Sequence, residues 1–123
     1  MPNRVLLVDC DAAASLVTAH LLTTAGYLLD VAQSFEEAIH QVARQCPDLL
    51  LTAVRLGQFN GLHVALRCRA LHPSLPIIVT GDQSEAGLAA EVEQYGFGFI
   101  DKTADPLLLL TLMGQLLGGA ATA

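Results

Sequence analysis

Basic residues are scarce in this chain. Its 123 residues hold six lysines and arginines against twelve aspartates and glutamates, a net charge of −6. That balance argues against a nucleic-acid surface within these residues, and it bears on solubility more than on partners. Lysine is scarcer still, with Lys102 the only one. Long apolar runs are missing: none approaches the roughly 18 residues that span a bilayer. Met1-Pro2-Asn3-Arg4 leads directly into an apolar segment and resembles no signal peptide. Three cysteines at wide, irregular spacing (Cys10, Cys46, Cys68) give neither a disulfide framework nor a CxxC metal pair. Together these absences point to the reducing cytoplasm, with no membrane contact. No internal repeat or low-complexity tract is visible, and no glycine pattern makes a phosphate-cradling loop.

What is present is apolar. At 53% hydrophobic and 15% charged, the chain has the composition of one globular domain over residues 1–123. Its core is expected over residues 4–117, with 118–123 a tail or the start of a linker. Apolar runs alternate with helical segments five times. Val5-Leu6-Leu7-Val8 is a strand closed by Asp9-Cys10-Asp11, followed by a helix to about Ala25 with Ala14, Val17 and Leu21 at core spacing and Gly26 as its stop. Tyr27 to Ala32 is a shorter strand, and Ser34 with Glu37 makes a capping box for the next helix. Gly61 to Leu71, Ser84 to Tyr95 and the segment opened by Asp105-Pro106 are three further helices. Between them lie the strands Pro76–Thr80 and Phe97–Ile100. Strands alternating with helices across short loops imply parallel neighbours and right-handed crossovers. The expected fold is therefore α/β, a flavodoxin-like doubly wound five-stranded parallel sheet in the order 2-1-3-4-5, with helices on both faces.

The chain is organised around Pro47 to Gly61, PDLLLTAVRLGQFNG. Leu49-Leu50-Leu51-Thr52 reads as a central strand covered on both faces. Ligands of such sheets sit at the carboxyl ends of the strands, so chemistry is expected at the residue that follows. That residue is Ala53, a methyl group, which is neither nucleophile, base nor metal ligand.

The pieces RVLLVDCD, AGYLLDVAQSFEEAI, PDLLLTAVRL with FNGL, PIIVTG, and GFGFIDK with DPLLLL stand in an order and spacing that resemble a receiver domain of the two-component response regulators, over residues 4 to about 117. The resemblance implies a phosphorylatable aspartate at the end of the third strand, and this falls on Ala53. It implies an acidic pair holding a divalent cation at the end of the first strand, which falls on Asp9 and Cys10, with Asp11 one residue late. The switch hydroxyl falls on Thr80 or Gly81, the aromatic switch on Phe99, and the phosphoryl-pairing lysine on Lys102, where Thr103 replaces the usual proline. Phosphoryl transfer to a side chain needs an oxygen nucleophile and a neutralising cation. Ala53 removes the first, and the soft Cys10 thiol suits Mg²⁺ poorly, leaving weak binding at Asp9 and Asp11 at most and no other cofactor. The degenerate site reads as a pseudo-receiver, with Lys102 reaching back to neutralise Asp9.

Other candidates are weaker. Cys10 between two aspartates is a poor thiolate, yet a redox input there stays open as an alternative. Cys68 is expected in the core. The four histidines lack ligand spacing. On the last helix, Leu109, Leu110, Met113, Leu116 and Leu117 form the expected core arc, while Leu108 and Leu112 lie outside it as a contact stripe. The sequence reading is a signalling domain that works by protein binding, independently of aspartyl phosphorylation and without being an enzyme. Its partners are a second copy in a homodimer through the last helix, an output domain, or a histidine kinase. The rival is a small flavodoxin-like enzyme, disfavoured because the strand ends offer no acid–base pair.

Overall fold

Short apolar runs with capped helices between them fold into a single layered sheet. The computed structural model describes residues 2–56, 59–81, 86–102 and 105–118. In chain order the elements are β1 (Arg4–Val8), α1 (Ala12–Thr24), β2 (Leu28–Ala32), α2 (Phe35–Arg44), β3 (Leu49–Ala53), β4 (Arg55–Leu56), β5 (Phe59–Asn60), α3 (Gly61–Leu71), β6 (Ile77–Gly81), α4 (Ala86–Gln94), β7 (Gly98–Asp101) and α5 (Pro106–Leu116). Five strands pair in parallel in the order β2-β1-β3-β6-β7. Counted by the strands of this sheet alone, that is the expected 2-1-3-4-5. The small antiparallel β4–β5 pair, Arg55 opposite Asn60 and Leu56 opposite Phe59, is an addition that the sequence pattern does not reveal. Two residues per strand are too few for the alternation that reveals a strand. Ser84, the expected start of the fourth helix, lies outside the described residues.

Side-chain alternation divides the core in two. Leu6, Val8, Leu50, Ile77 and Val79 pack with residues of α2, α3 and α4 on one face. Val5, Leu7, Leu49, Leu51 and Ile78 pack with Leu22 of α1 and with Leu109 and Met113 of α5 on the other. Every residue of β3 is buried, as a central parallel strand requires.

The caps follow sequence logic. Asp11 accepts from the Ala13 and Ala14 N–H groups, Ser34 from Glu37, Asn60 from His63 and Asp105 from Leu107. Each satisfies a backbone donor left over by its helix. Glu37 reaches back to the Gln33 N–H at 2.6 Å, one residue before the donor a standard capping box uses.

Two helix faces differ from expectation. Val17, expected in the core, is 73% exposed, and α1 instead buries Ser15 and Leu22. Ser15, Thr18, His20, Thr23 and Thr24 are spread around α1, so it has no single polar face from which periodicity can choose its inner one. On α5, Leu112, expected outside the core arc, packs against the second core cluster, and Leu116, expected inside it, is exposed. The cause is Gly98. A Cβ there would lie 3.1 Å from the Leu112 Cδ2, so the missing side chain opens a seat on β7 that draws Leu112 inward. Leu108 stands 54% exposed, outside the arc as expected.

Candidate functional site: the carboxyl ends of the strands

The candidate site is assembled by register. Val8 pairs with Thr52 and Ala53 with Thr80, which leaves Asp9 beside Ala53 at the sheet's carboxyl edge. Gly81 pairs with Asp101, and the Lys102 N–H donates to the Gly81 carbonyl at 2.7 Å. The lysine is thereby tied to the end of β6. Its Nζ lies 3.6 Å from Asp9 Oδ2. Asp9 is only 4% exposed, and a carboxylate so placed is costly without a counter-charge. Its other oxygen accepts the Asp11 N–H at 3.0 Å, so both ends of the group are satisfied.

Ala53 is 1% exposed. Its surroundings are set by α3, which begins so close that a Cβ on Gly61 would overlap the Ala53 carbonyl oxygen. Only glycine lets the helix start there, with the Gly61 N–H donating to the Val54 carbonyl at 2.7 Å. Thr52 is fully buried and donates its hydroxyl to the Ala53 carbonyl at 3.1 Å. Pleat alternation turns it to the other face, so it offers no substitute acceptor. Thr80 is half-buried beside Ala53, while Gly81 is buried and supplies backbone only. Phe99 pairs with Val79 and packs against the α2–α3 core cluster.

The remaining residues of the expected acidic cluster point elsewhere. Asp11 spends its carboxylate on the α1 cap, 3.0 and 3.2 Å from the Ala13 and Ala14 nitrogens. Cys10 is exposed and its Sγ lies 3.6 Å from the Arg55 carbonyl, where the thiol acts as a donor. Among the described residues, no three His, Cys, Asp or Glu side chains converge as metal ligands. One paired carboxylate, one capping carboxylate and one thiol do not fit an all-oxygen Mg²⁺ site.

A feature the motifs did not reveal lies below this edge. A cavity of about 460 Å³ opens between α1 and α5, and its polar lining includes Asp9, Thr80, Asp101, Lys102 and Asp105. Its signal in the sequence is compositional: neither helix contains an Asp, Glu, Lys or Arg.

Comparison with known proteins agrees with this geometry. The family described as response regulator receiver domain matches residues 5–113. The transcriptional activator protein ExaE of Pseudomonas putida is 32% identical over 120 residues, covering 95% of this chain and 56% of that protein. The transcriptional regulatory protein ZraR of Escherichia coli (strain K12) is 31% identical over 103 residues, 84% of this chain and 23% of its own length. The chain thus spans between about a quarter and about half of these curated relatives. A putative response regulator from Chloroflexus aurantiacus J-10-fl superposes with a TM-score of 0.89 at 27% identity, covering 96% of this chain and 99% of that one. With the sheet order and a match across nearly the whole chain in agreement, this protein belongs to the family of response regulator receiver domains.

Proposed function

We propose that this receiver domain signals in the cytoplasm by binding other proteins, without passing through an aspartyl phosphate. Ala53 carries the reading: the position at which the family resemblance calls for the acceptor holds a buried methyl group. A methyl offers no lone pair to a phosphoryl group. Lys102 supports it, since its charge is already matched by Asp9. The relatives named as transcriptional regulators are longer proteins, and an output domain, a histidine kinase or a second copy of the chain are the partners this reading suggests.

Incubation with acetyl phosphate and Mg²⁺ followed by intact-mass measurement tests the proposal. The expected outcome is an unchanged mass, and a stable gain of one phosphoryl group overturns it. Ala53→Asp alone is expected to restore labelling poorly, because Cys10 still stands where a carboxylate ligand is needed. Ala53→Asp with Cys10→Asp is expected to label better. Equal labelling of the two variants would show that Cys10 is irrelevant to the cation. Calorimetric titration of the unaltered chain is expected to give weak Mg²⁺ binding, no tighter than millimolar.

A further inference from the structure

Ala14, Val17 and Leu21, which helical spacing assigns to the core, open onto the cleft between α1 and α5. They share one helix face with Thr18, and Val17 is 73% exposed there. Leu7, Leu51 and Ile100 line the cleft from the sheet, and Leu109 from α5. At about 460 Å³ it lies within the roughly 300–1,000 Å³ of small-molecule sites, which pair apolar walls with a few placed polar groups. Its polarity is graded along the strands. The apolar walls lie between the two helices and the sheet. The charged groups, Asp9, Asp101, Lys102 and Asp105, stand at strand carboxyl ends and at the start of α5.

We infer that this cleft binds a small amphipathic amine, an apolar body of metabolite size with one cationic head at the strand-end rim. The rim decides the sign of the head. It carries three carboxylates (Asp9, Asp101, Asp105) and one ammonium (Lys102), so negative charge is in excess. Lys102 already faces Asp9 at 3.6 Å, and an anionic head would have to compete with that carboxylate. Asp105 Oδ1 accepts the Leu107 N–H at 2.9 Å. A carboxylate has about four lone-pair positions, so Asp105 keeps the capacity to accept from an ammonium as well. Thr80 adds a hydroxyl oxygen to the same lining. The chain's net charge of −6 attracts the same sign of ligand from a distance. The walls decide the body. A bare cation gains nothing from Val17, Leu21, Leu51 and Leu109, whereas an apolar body loses water against them. The inference goes beyond the phosphorylation-independent reading and does not depend on it, since none of these groups is the acceptor position.

Three probes that share one body and differ in the head test the inference: phenylbutylamine, phenylbutanol and phenylbutyrate. Each is titrated into the full chain without divalent cations and followed by amide chemical shifts. The amine is expected to bind saturably, to shift Val17, Leu21, Lys102 and Leu109, and to bind about tenfold tighter than the alcohol. The carboxylate is expected to bind more weakly than either. Asp105→Asn keeps an equally good helix cap and is expected to weaken the amine by about two- to fivefold, leaving the alcohol unchanged. Glu36→Gln makes the same change of net charge on α2, across the sheet, and is expected to leave all three unchanged. Ala14→Leu fills the cleft from α1 and is expected to weaken amine and alcohol alike, with circular dichroism reporting an intact fold. Absence of saturable binding overturns the inference. So do equal affinities for the three heads, a preference for the carboxylate, or shifts centred away from the cleft. An amine affinity that falls as far on Glu36→Gln as on Asp105→Asn shows attraction to the acidic chain as a whole, and overturns it too. Phosphoryl labelling is a separate measurement, so failure of the phosphorylation-independent reading is distinguishable from each of these outcomes.

Discussion

A single ammonium group stands against the almost fully buried carboxylate of Asp9. Removing one partner of a buried ion pair costs about 3–5 kcal/mol. The Lys102 side chain is 39% exposed, and solvent screening reduces the expected loss for Lys102→Met to about 1–2 kcal/mol. Urea unfolding measures it, and Asp9→Asn added to Lys102→Met should recover part of the loss. Ala53→Asp is expected to cost about 1–3 kcal/mol in metal-free buffer, because a second carboxylate then competes for the same lysine. Cys68 makes a different point. Burial, with a smaller contribution from Cys46, pushes its thiol up from 9.0 to about 12. The folded state therefore holds a proton that the unfolded chain releases. Its stabilisation is complete below about pH 9 and is lost as pH rises from about 9 towards 12. Thiol titration of the native protein near neutral pH is expected to find the exposed Cys10 and Cys46 and to reach Cys68 only on unfolding. The burial of Cys68 was legible through the resemblance, since its position on the third helix is one that the family usually fills with an aliphatic residue. So was the pairing of Lys102 with Asp9, because the resemblance brings both to the strand ends, where an unpaired carboxylate is costly.

Secondary elements show where sequence reading works and where it stops. Caps are local: Ser34 and Asp105 cap the helices the sequence assigns to them, and Asp11 and Asn60 cap α1 and α3 by the same chemistry. Asp11→Ala is accordingly expected to cost about 1 kcal/mol, read by thermal unfolding. The sheet order was legible because alternation of apolar runs and helices restricts topology to a few choices. The inner faces of α1 and α5 were not. α5 is apolar nearly all round and the polar residues of α1 are scattered about its circumference, so periodicity has little contrast to report, and the decision passes to tertiary contacts such as the seat that Gly98 leaves for Leu112. The two leucines once paired as a surface stripe should therefore separate experimentally. Leu112→Ala is expected to destabilise by about 2 kcal/mol, whereas Leu108→Ala should stay within about 0.5 kcal/mol. Equal costs would return Leu112 to the surface or place Leu108 in the core.

At the scale of the whole molecule, the distribution of charge matters more than its sum. The carboxylates and basic groups lie outside α1 and α5, while the chain as a whole carries −6. A homodimer formed across α1 and α5, one of the partners suggested above, meets no charged side chain of those two helices, and the charges nearest it are Asp9, Asp101, Lys102 and Asp105 in the cleft between them. What remains is long-range repulsion between two acidic bodies, acting over the Debye length of about 30 Å at 0.01 M salt and about 8 Å at 0.15 M. Raising the salt shortens that reach and leaves the apolar contact intact. Association through α1 and α5 is therefore expected to strengthen with added sodium chloride, the reverse of what interfacial ion pairs produce. Sedimentation equilibrium at the two ionic strengths decides the matter: a dissociation constant that falls with salt fits the α1–α5 pairing. One that rises means that charged residues from other elements hold the copies together, and that the cleft faces something other than itself.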